Sequence, residues 1–106
     1  MELTGVSKHV LLCNGVSCSK NGSEEVTNLI RQEIKRLGLM EKIHTTKTLC
    51  NGRCKEGPIV IVYPDGDWYK EITPKKSSQL INKINNNEKL IDSLSYKFEG
   101  KSFKTI

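Results

Sequence analysis

The sequence contains little that is strongly hydrophobic. It has six aromatic residues and 36% hydrophobic residues in a chain of 106, so we expect one domain with a small core. No segment approaches the roughly 18 consecutive apolar residues of a transmembrane helix, which argues against membrane insertion. The first residues lack a basic start followed by a long apolar stretch, so we expect no secretory signal and a cytoplasmic protein.

Familiar catalytic patterns are also missing. The sequence shows no Ser/His/Asp arrangement, no paired-carboxylate motif and no phosphate-binding glycine loop, so we expect that the protein is not an enzyme. Positive charge, in contrast, is in excess: the net charge is +5, and residues 75–106 hold seven lysines against three acids. A basic tail of this kind suits an acidic partner protein, and a solvated surface is a simpler interpretation of it than nucleic-acid binding.

Hydrophobic periodicity predicts a mixed α/β chain. Runs rich in β-branched residues predict four strands: 9–13, 43–49, 59–63 and 68–72. Helical spacing of apolar residues predicts two amphipathic helices: 24–37 and 74–84. Ser23 and Thr73 are the expected N-caps, and Pro74 suits the first helical position.

The element order β-α-β-β-β-α restricts the topology. Two strands joined by a helix are expected to be parallel neighbours, because such crossovers are right-handed and adjacent. The hairpin then adds two antiparallel strands, which gives a four-stranded mixed sheet with two main helices, a thioredoxin-like α/β fold. We assign this domain to residues 1–86 and a basic C-terminal extension to residues 87–106, which form either an extra strand or an ordered arm.

Four cysteines form two pairs, each in a loop directly after a predicted strand. The spacing is Cys13-x4-Cys18, then 31 residues, then Cys50-x3-Cys54. Because parallel strands end at the same edge of a sheet and lie about 4.8 Å apart, the two loops are expected to converge. Four cysteines in a cytoplasmic protein are more often metal ligands or redox thiols than a disulfide framework.

Several chemistries fit such a cysteine set. A 2Fe–2S cluster takes four thiolates, and the wide spacings favour a two-metal core over a single structural zinc ion, which usually closes through tighter pairs. The zinc alternative stays open on spacing alone. A thiol–disulfide oxidoreductase would need C-x-x-C, which is absent. Gly15 and Gly52 would let the backbone pass close to a cluster, and His9 and His44 are interpreted as ordinary strand residues.

Three stretches together resemble a known family. They are residues 9–13 (HVLLC), residues 50–58 (CNGRCKEGP) and residues 63–69 (YPDGDWY), the last followed by Ile-Thr-Pro at 72–74. Over about residues 8–86 the chain resembles the thioredoxin-like 2Fe–2S ferredoxins. These include free ferredoxins and the small cluster-bearing subunit of NADH:quinone oxidoreductases and bidirectional hydrogenases.

The resemblance implies a one-electron transfer protein with a single 2Fe–2S cluster. Its implied ligands are the four motif cysteines: Cys13, Cys18, Cys50 and Cys54. It also implies a redox partner protein, allows a homodimer, and puts Pro58 before the third strand, where a cis peptide is an option. The chain looks more like a free-standing ferredoxin than a complex subunit. The alternative is a non-catalytic metal-binding module, with structural zinc or a sensing cluster, whose basic tail meets an acidic partner.

Overall fold

Six strands and two main helices make up most of the regular structure of the described residues. The computed structural model describes residues 2–15, 18 and 20–106, with Cys54 described through its backbone alone. The strands are β1 (Lys8–Cys13), β2 (Ile43–Thr48), β3 (Val60–Tyr63), β4 (Asp67–Tyr69), β5 (Leu94–Phe98) and β6 (Phe103–Thr105). The helices are α1 (Ser23–Arg36) and α2 (Pro74–Asn85), and two 3₁₀ turns span Cys54–Glu56 and Ile91–Ser93.

The strands form one mixed sheet in the order β2-β1-β3-β4-β5-β6. β1 and β2 are parallel, and each of the other neighbouring pairs is antiparallel. The prediction of four strands is therefore wrong, because the C-terminal segment adds β5 and β6 beyond β4. β4 would otherwise be an edge with unpaired backbone groups, and β5 pairs with that edge. The sequence of residues 87–106 does not indicate which edge of the sheet this segment joins.

The fourth strand is shorter than predicted. β4 ends at Tyr69, although the apolar alternation continues to Ile72. Beyond Tyr69 the backbone bonds to other segments: the N–H of Glu71 donates to the carbonyl of Glu56, and that of Ile72 to the carbonyl of Pro58. Glu71 also has a φ of 50°. Ile72 is still completely buried. The apolar alternation up to this residue therefore indicates burial and not strand pairing.

The two helix starts differ in how they follow the prediction. Thr73 is the N-cap of α2 and Pro74 its first residue, as predicted. α1, however, begins at Ser23 with Gly22 as the N-cap, at a φ of 93°. The Ser23 hydroxyl donates instead to Oδ1 of Asn14 at 3.1 Å. The predicted cap is wrong because this side chain ties the helix start to the loop after β1.

Both helices pack on one face of the sheet. The main core joins residues of α1 and α2 to alternate residues of the central strands: Val26, Ile30, Ile34, Leu80, Ile81, Ile84, Val10, Leu12, Val60 and Val62. The opposite face carries a second, smaller apolar cluster of Cys13, Cys18, Ile59 and Ile61. No helix among the described residues is long and apolar enough to cross a membrane.

Candidate metal centre

The two cysteine loops leave the sheet at one edge. Cys13 is the last residue of β1, and its register partner Thr48 is the last residue of the parallel strand β2. Just beyond, the N–H of Asn14 donates to the Thr48 carbonyl at 2.8 Å, so the strands stay joined where the loops begin. The loop bearing Cys18 and the loop bearing Cys50 therefore start side by side, as the strand order predicts.

Two glycines let these loops touch. A Cβ atom on Gly15 would lie 2.9 Å from the Cα of Cys50, and one on Gly57 would lie 2.7 Å from the Sγ of Cys18. Real Cβ atoms essentially never approach so closely, so a side chain at either position would displace the backbone or the neighbouring cysteine. Gly15 thus lies against a candidate ligand, Cys50, whereas Gly52 has a φ of 82°, a left-handed conformation that favours glycine. That the backbone at Gly15 and Gly52 passes close to a cluster stays a prediction.

The cysteines differ in exposure. Cys13 and Cys18 are 3% and 2% exposed and lie in the smaller apolar cluster, whereas Cys50 is exposed. Cys54 begins the 3₁₀ turn Cys54–Glu56. Its side chain, like residues 16 and 17 between the first two cysteines, lies outside the described part of the structure.

Hydrogen bonds around Cys13 favour the thiolate form of this residue. Burial disfavours the Cys13 thiolate, but hydrogen bonds from the Gly15 backbone and from Asn51, together with one involving Cys18, outweigh it and lower the pKa of Cys13 below that of an ordinary thiol. The N–H of Gly52 donates to Sγ of Cys50 at 3.3 Å. Thiolates are the form that binds metals, and sequence reasoning missed Asn51 as a support of the Cys13 thiolate.

Arg53, one of the three residues between Cys50 and Cys54, contacts a charged and an aromatic neighbour. Nε of Arg53 donates to Oε1 of Glu56 at 2.6 Å, and the Arg53 guanidinium lies over the ring of Tyr96, 5.0 Å from its centroid. The contact with Glu56 is the main reason that the pKa of Arg53 is raised. Tyr96 belongs to β5, so the C-terminal strands reach the second cysteine loop, which the sequence did not indicate.

The two histidines lie away from the cysteine loops, near the start of β1 and β2. Their rings are 4.9 Å apart, and Nε2 of His9 is 2.8 Å from the Thr46 hydroxyl. Burial, and secondarily the charge of His44, lowers the pKa of His9. This placement agrees with their interpretation as ordinary strand residues.

The residues of this edge fit a thiolate-bound metal cofactor. Soft sulfur donors, backbone N–H groups aimed at sulfur and two glycine contacts that bring the loops together are what such a group requires. The described side chains alone gather no set of three metal ligands, and the side chain of Cys54 is not among them. The Gly57–Pro58 peptide beside Cys18 is cis, as is Tyr63–Pro64.

Comparison with known proteins gives one consistent result. The chain is 46% identical to a protein of Priestia megaterium named as a 2Fe–2S ferredoxin, over 96% of this chain and 80% of that one. A solved structure of a thioredoxin-like 2Fe–2S ferredoxin from Aquifex aeolicus matches with a TM-score of 0.81 at 28% identity, over 89% of this chain and 94% of the other. A component of the NADH-quinone oxidoreductase of Rickettsia bellii is 23% identical, over 74% of this chain and 48% of that protein.

The thioredoxin-like α/β fold with two main helices is thus confirmed, and so is the 2Fe–2S cofactor as the one that defines these relatives. The chain is more similar to the Priestia megaterium protein named as a ferredoxin, at 46% identity, than to the NADH-quinone oxidoreductase component, at 23%. The family described as thioredoxin-like 2Fe–2S ferredoxin matches residues 2–85. This chain belongs to the thioredoxin-like 2Fe–2S ferredoxin family.

Proposed function

We propose that this protein is a one-electron carrier that holds one 2Fe–2S cluster through four thiolates: those of Cys13, Cys18, Cys50 and Cys54. The observation that carries the proposal is the contact between the two cysteine loops. Gly15 of the first loop meets Cys50 of the second, and Gly57 meets Cys18, each so closely that an added Cβ would force a neighbouring atom to shift. Loops so closely joined suit one shared metal centre better than two separate thiol sites.

The chain's own residues would hold and tune the cluster, which when bound supplies reversible one-electron redox chemistry. Buried Cys13 and Cys18 would form its inner side, against Ile59 and Ile61. N–H groups of Gly15 and Gly52 would stabilise thiolate charge, and such hydrogen bonds raise a reduction potential because they favour the more negative reduced form. Exposed Cys50 would leave one side near solvent, where a partner protein can approach.

Metal and sulfide analysis tests the proposal. The protein should be purified without oxygen after expression with ample iron, and it should contain about two irons and two sulfides per chain, the content of one 2Fe–2S centre. Chemical reduction should take up one electron per chain and give a paramagnetic signal. A colourless protein with one zinc per chain would contradict the proposal and favour the structural-zinc alternative.

Single cysteine substitutions test the ligand set. Cys13→Ala, Cys18→Ala, Cys50→Ala and Cys54→Ala should each lose most of the bound iron, because each removes one of four thiolates. Leu49→Ala is the matched control, since Leu49 precedes Cys50 and is 84% exposed. It should keep the wild-type iron content, and a cysteine variant that also keeps it would exclude that cysteine from the ligand set.

A carrier of this kind requires a redox partner protein. We infer that the partner presents acidic groups, because the chain has a net charge of +5 and opposite charges speed encounter. The cytoplasm is the proposed compartment, since thiols that await a metal must stay reduced. Homodimer formation stays a prediction, which light scattering of the iron-loaded protein would check.

A further inference from the structure

We propose that Tyr96 is a positioning residue for the second cysteine loop and acts through Arg53, so that the C-terminal strands help to hold the metal centre. The inference rests on the proposed function for its link to the cluster. Tyr96 lies outside residues 2–85, the segment that matches the family. The support it gives would therefore come from this chain's C-terminal segment.

The first argument is the double contact of Arg53. This residue lies between Cys50 and Cys54, the proposed ligands of the second loop. Its guanidinium carbon lies 5.0 Å from the centroid of the Tyr96 ring, within the range of a cation–π contact. The same guanidinium pairs with Glu56. One side chain thus connects the loop to its own following turn and to the sheet.

The second argument is that Tyr96 is held more firmly than the loop it contacts. In the sheet, Tyr96 pairs with Trp68 on one side and with Thr105 on the other. Arg53, by contrast, lies outside the strands and immediately precedes a short 3₁₀ turn. A ring in the middle of a β-ladder is a fixed platform, so the contact restrains the loop and not the strand.

The third argument is a continuous aromatic wall beside the site. Trp68 packs against the apolar cluster that contains Cys13 and Cys18, and the Phe103 ring meets Trp68 edge-on at 6.0 Å. A groove of about 190 Å³ is lined by Arg53, Trp68, Tyr96 and Phe103. The C-terminal strands β5 and β6 therefore contact both cysteine pairs indirectly. They reach the cluster of Cys13 and Cys18 through Trp68, and they reach the second cysteine loop through Arg53.

Loss of the cluster to an iron chelator measures the restraint. Tyr96→Leu should speed this loss about two- to fivefold, the factor that corresponds to an exposed cation–π contact. Arg53→Gln should have a similar effect. If Tyr96 acts through Arg53, the double variant should lose its cluster no faster than the more affected single variant. If the double variant instead loses its cluster at a rate raised by the product of the two single-variant factors, the proposal is overturned.

Two controls separate the contact from a general weakening of the fold. Tyr96→Phe keeps the ring face and should behave like the wild type. Tyr63→Leu makes the same change at an exposed tyrosine of β3. The register partner of Tyr63 is His9, which lies four residues before Cys13. This variant should leave the rate of cluster loss unchanged. A wild-type rate in Tyr96→Leu, or an equal acceleration in Tyr63→Leu, would contradict the proposal.

A second readout does not need the cluster. The N–H of Glu56 donates to the Arg53 carbonyl at 2.9 Å, and the hydrogen exchange of this N–H, measured in protein prepared without metal, reports opening of the turn. Tyr96→Leu should speed this exchange about two- to fivefold, by the same cation–π arithmetic, and Tyr63→Leu should not. Unchanged exchange overturns the positioning role. Faster exchange in a protein that never binds iron would uphold that role and refute only the proposed function.

Discussion

The two faces of the sheet are built by different means. The helix-covered face buries fifteen residues in one core, and its stability is a sum over many apolar contacts. On the opposite face, four of the residues that the structure describes form a buried apolar cluster, and two of them are cysteines. It depends on a few close approaches between loops, such as those of Gly15 and Gly57. One face therefore contributes most of the apolar burial that stabilises the fold, while the other holds two of the proposed metal ligands.

This difference implies that substitutions on the two faces should separate stability from metal binding. A cavity in the helix-covered core lowers the free energy of unfolding but leaves the thiol geometry in place. A substitution at a loop contact costs less stability but displaces a sulfur atom. Three substitutions test this contrast.

The largest effect is expected from Leu80→Ala. Leu80 is completely buried in α2, and a buried leucine truncated to alanine loses about 2–5 kcal/mol because apolar burial is lost and a cavity remains. Urea denaturation of the iron-loaded protein should show this loss. The visible absorption spectrum of the folded fraction should not change.

Leu3→Ala is the control for this variant, since Leu3 is 59% exposed, and it should shift stability by less than about 0.5 kcal/mol. A changed cluster spectrum in Leu80→Ala, with the protein still folded, would show that the two faces are coupled and would break the comparison.

A smaller loss of stability, with a larger effect on iron, is expected from Gly57→Ala. The added Cβ would lie 2.7 Å from the Sγ of Cys18, so either the sulfur or the backbone must move. Overpacking of this kind costs about 1–3 kcal/mol. Iron content per folded chain should fall well below the wild-type value.

Gly38→Ala is the matched control, because Gly38 has a φ of 69° and open space around its Cα. It should lose some stability from backbone strain but keep its iron. If Gly57→Ala binds iron as the wild type does, the close contact is not needed for the site.

The smallest effect concerns a charge on the helix-covered face. Glu33 of α1 is 8% exposed and accepts hydrogen bonds from Arg36 and from Asn82 of α2. The bond from Arg36 is the main reason that the pKa of Glu33 falls from 4.5 to about 2. A pKa lowered by folding stabilises the protein above pH 4.5, and this contribution is lost as the pH falls from 4.5 towards 2.

Glu33→Gln should therefore lower the free energy of unfolding by about 1–2 kcal/mol at pH 7, with an allowance for the exposed Arg36. The difference from the wild type should shrink steadily below pH 4.5. Urea denaturation at pH 7, 4 and 3 measures it, with the exposed Glu25→Gln as the control. A difference that is constant over this pH range would show that the carboxylate charge contributes nothing.

Sequence patterns predicted the parts of the fold that depend on local periodicity. β1, β2 and both helices lie within one or two residues of their expected bounds, because apolar spacing reports burial directly. The same patterns predicted that the loops of Cys13 and Cys50 begin at one edge, since a βαβ unit has little topological freedom.

Patterns failed where the decisive partner is distant in the chain. Serine is a preferred N-cap residue, but the hydroxyl of Ser23 donates its hydrogen bond to Asn14. Ile72 continues the alternation of β4, but its N–H bonds to Pro58. Nothing local to Tyr96 indicates that its strand joins β4 and meets Arg53. Each error has the same cause: a hydrogen bond or ring contact made across the fold overrides the local preference.

The sequence by itself predicted the class of fold and the candidate metal ligands. Four cysteines in two loop pairs, set after strands of a βαβ unit, favour a thiolate-bound metal at one sheet edge. Only the tertiary structure decided which glycines permit the loops to touch, which thiols are buried and which strands stand behind the second loop. Residue types specify what a site can bind, but distances between chain segments far apart in sequence arise only when the sheet is assembled.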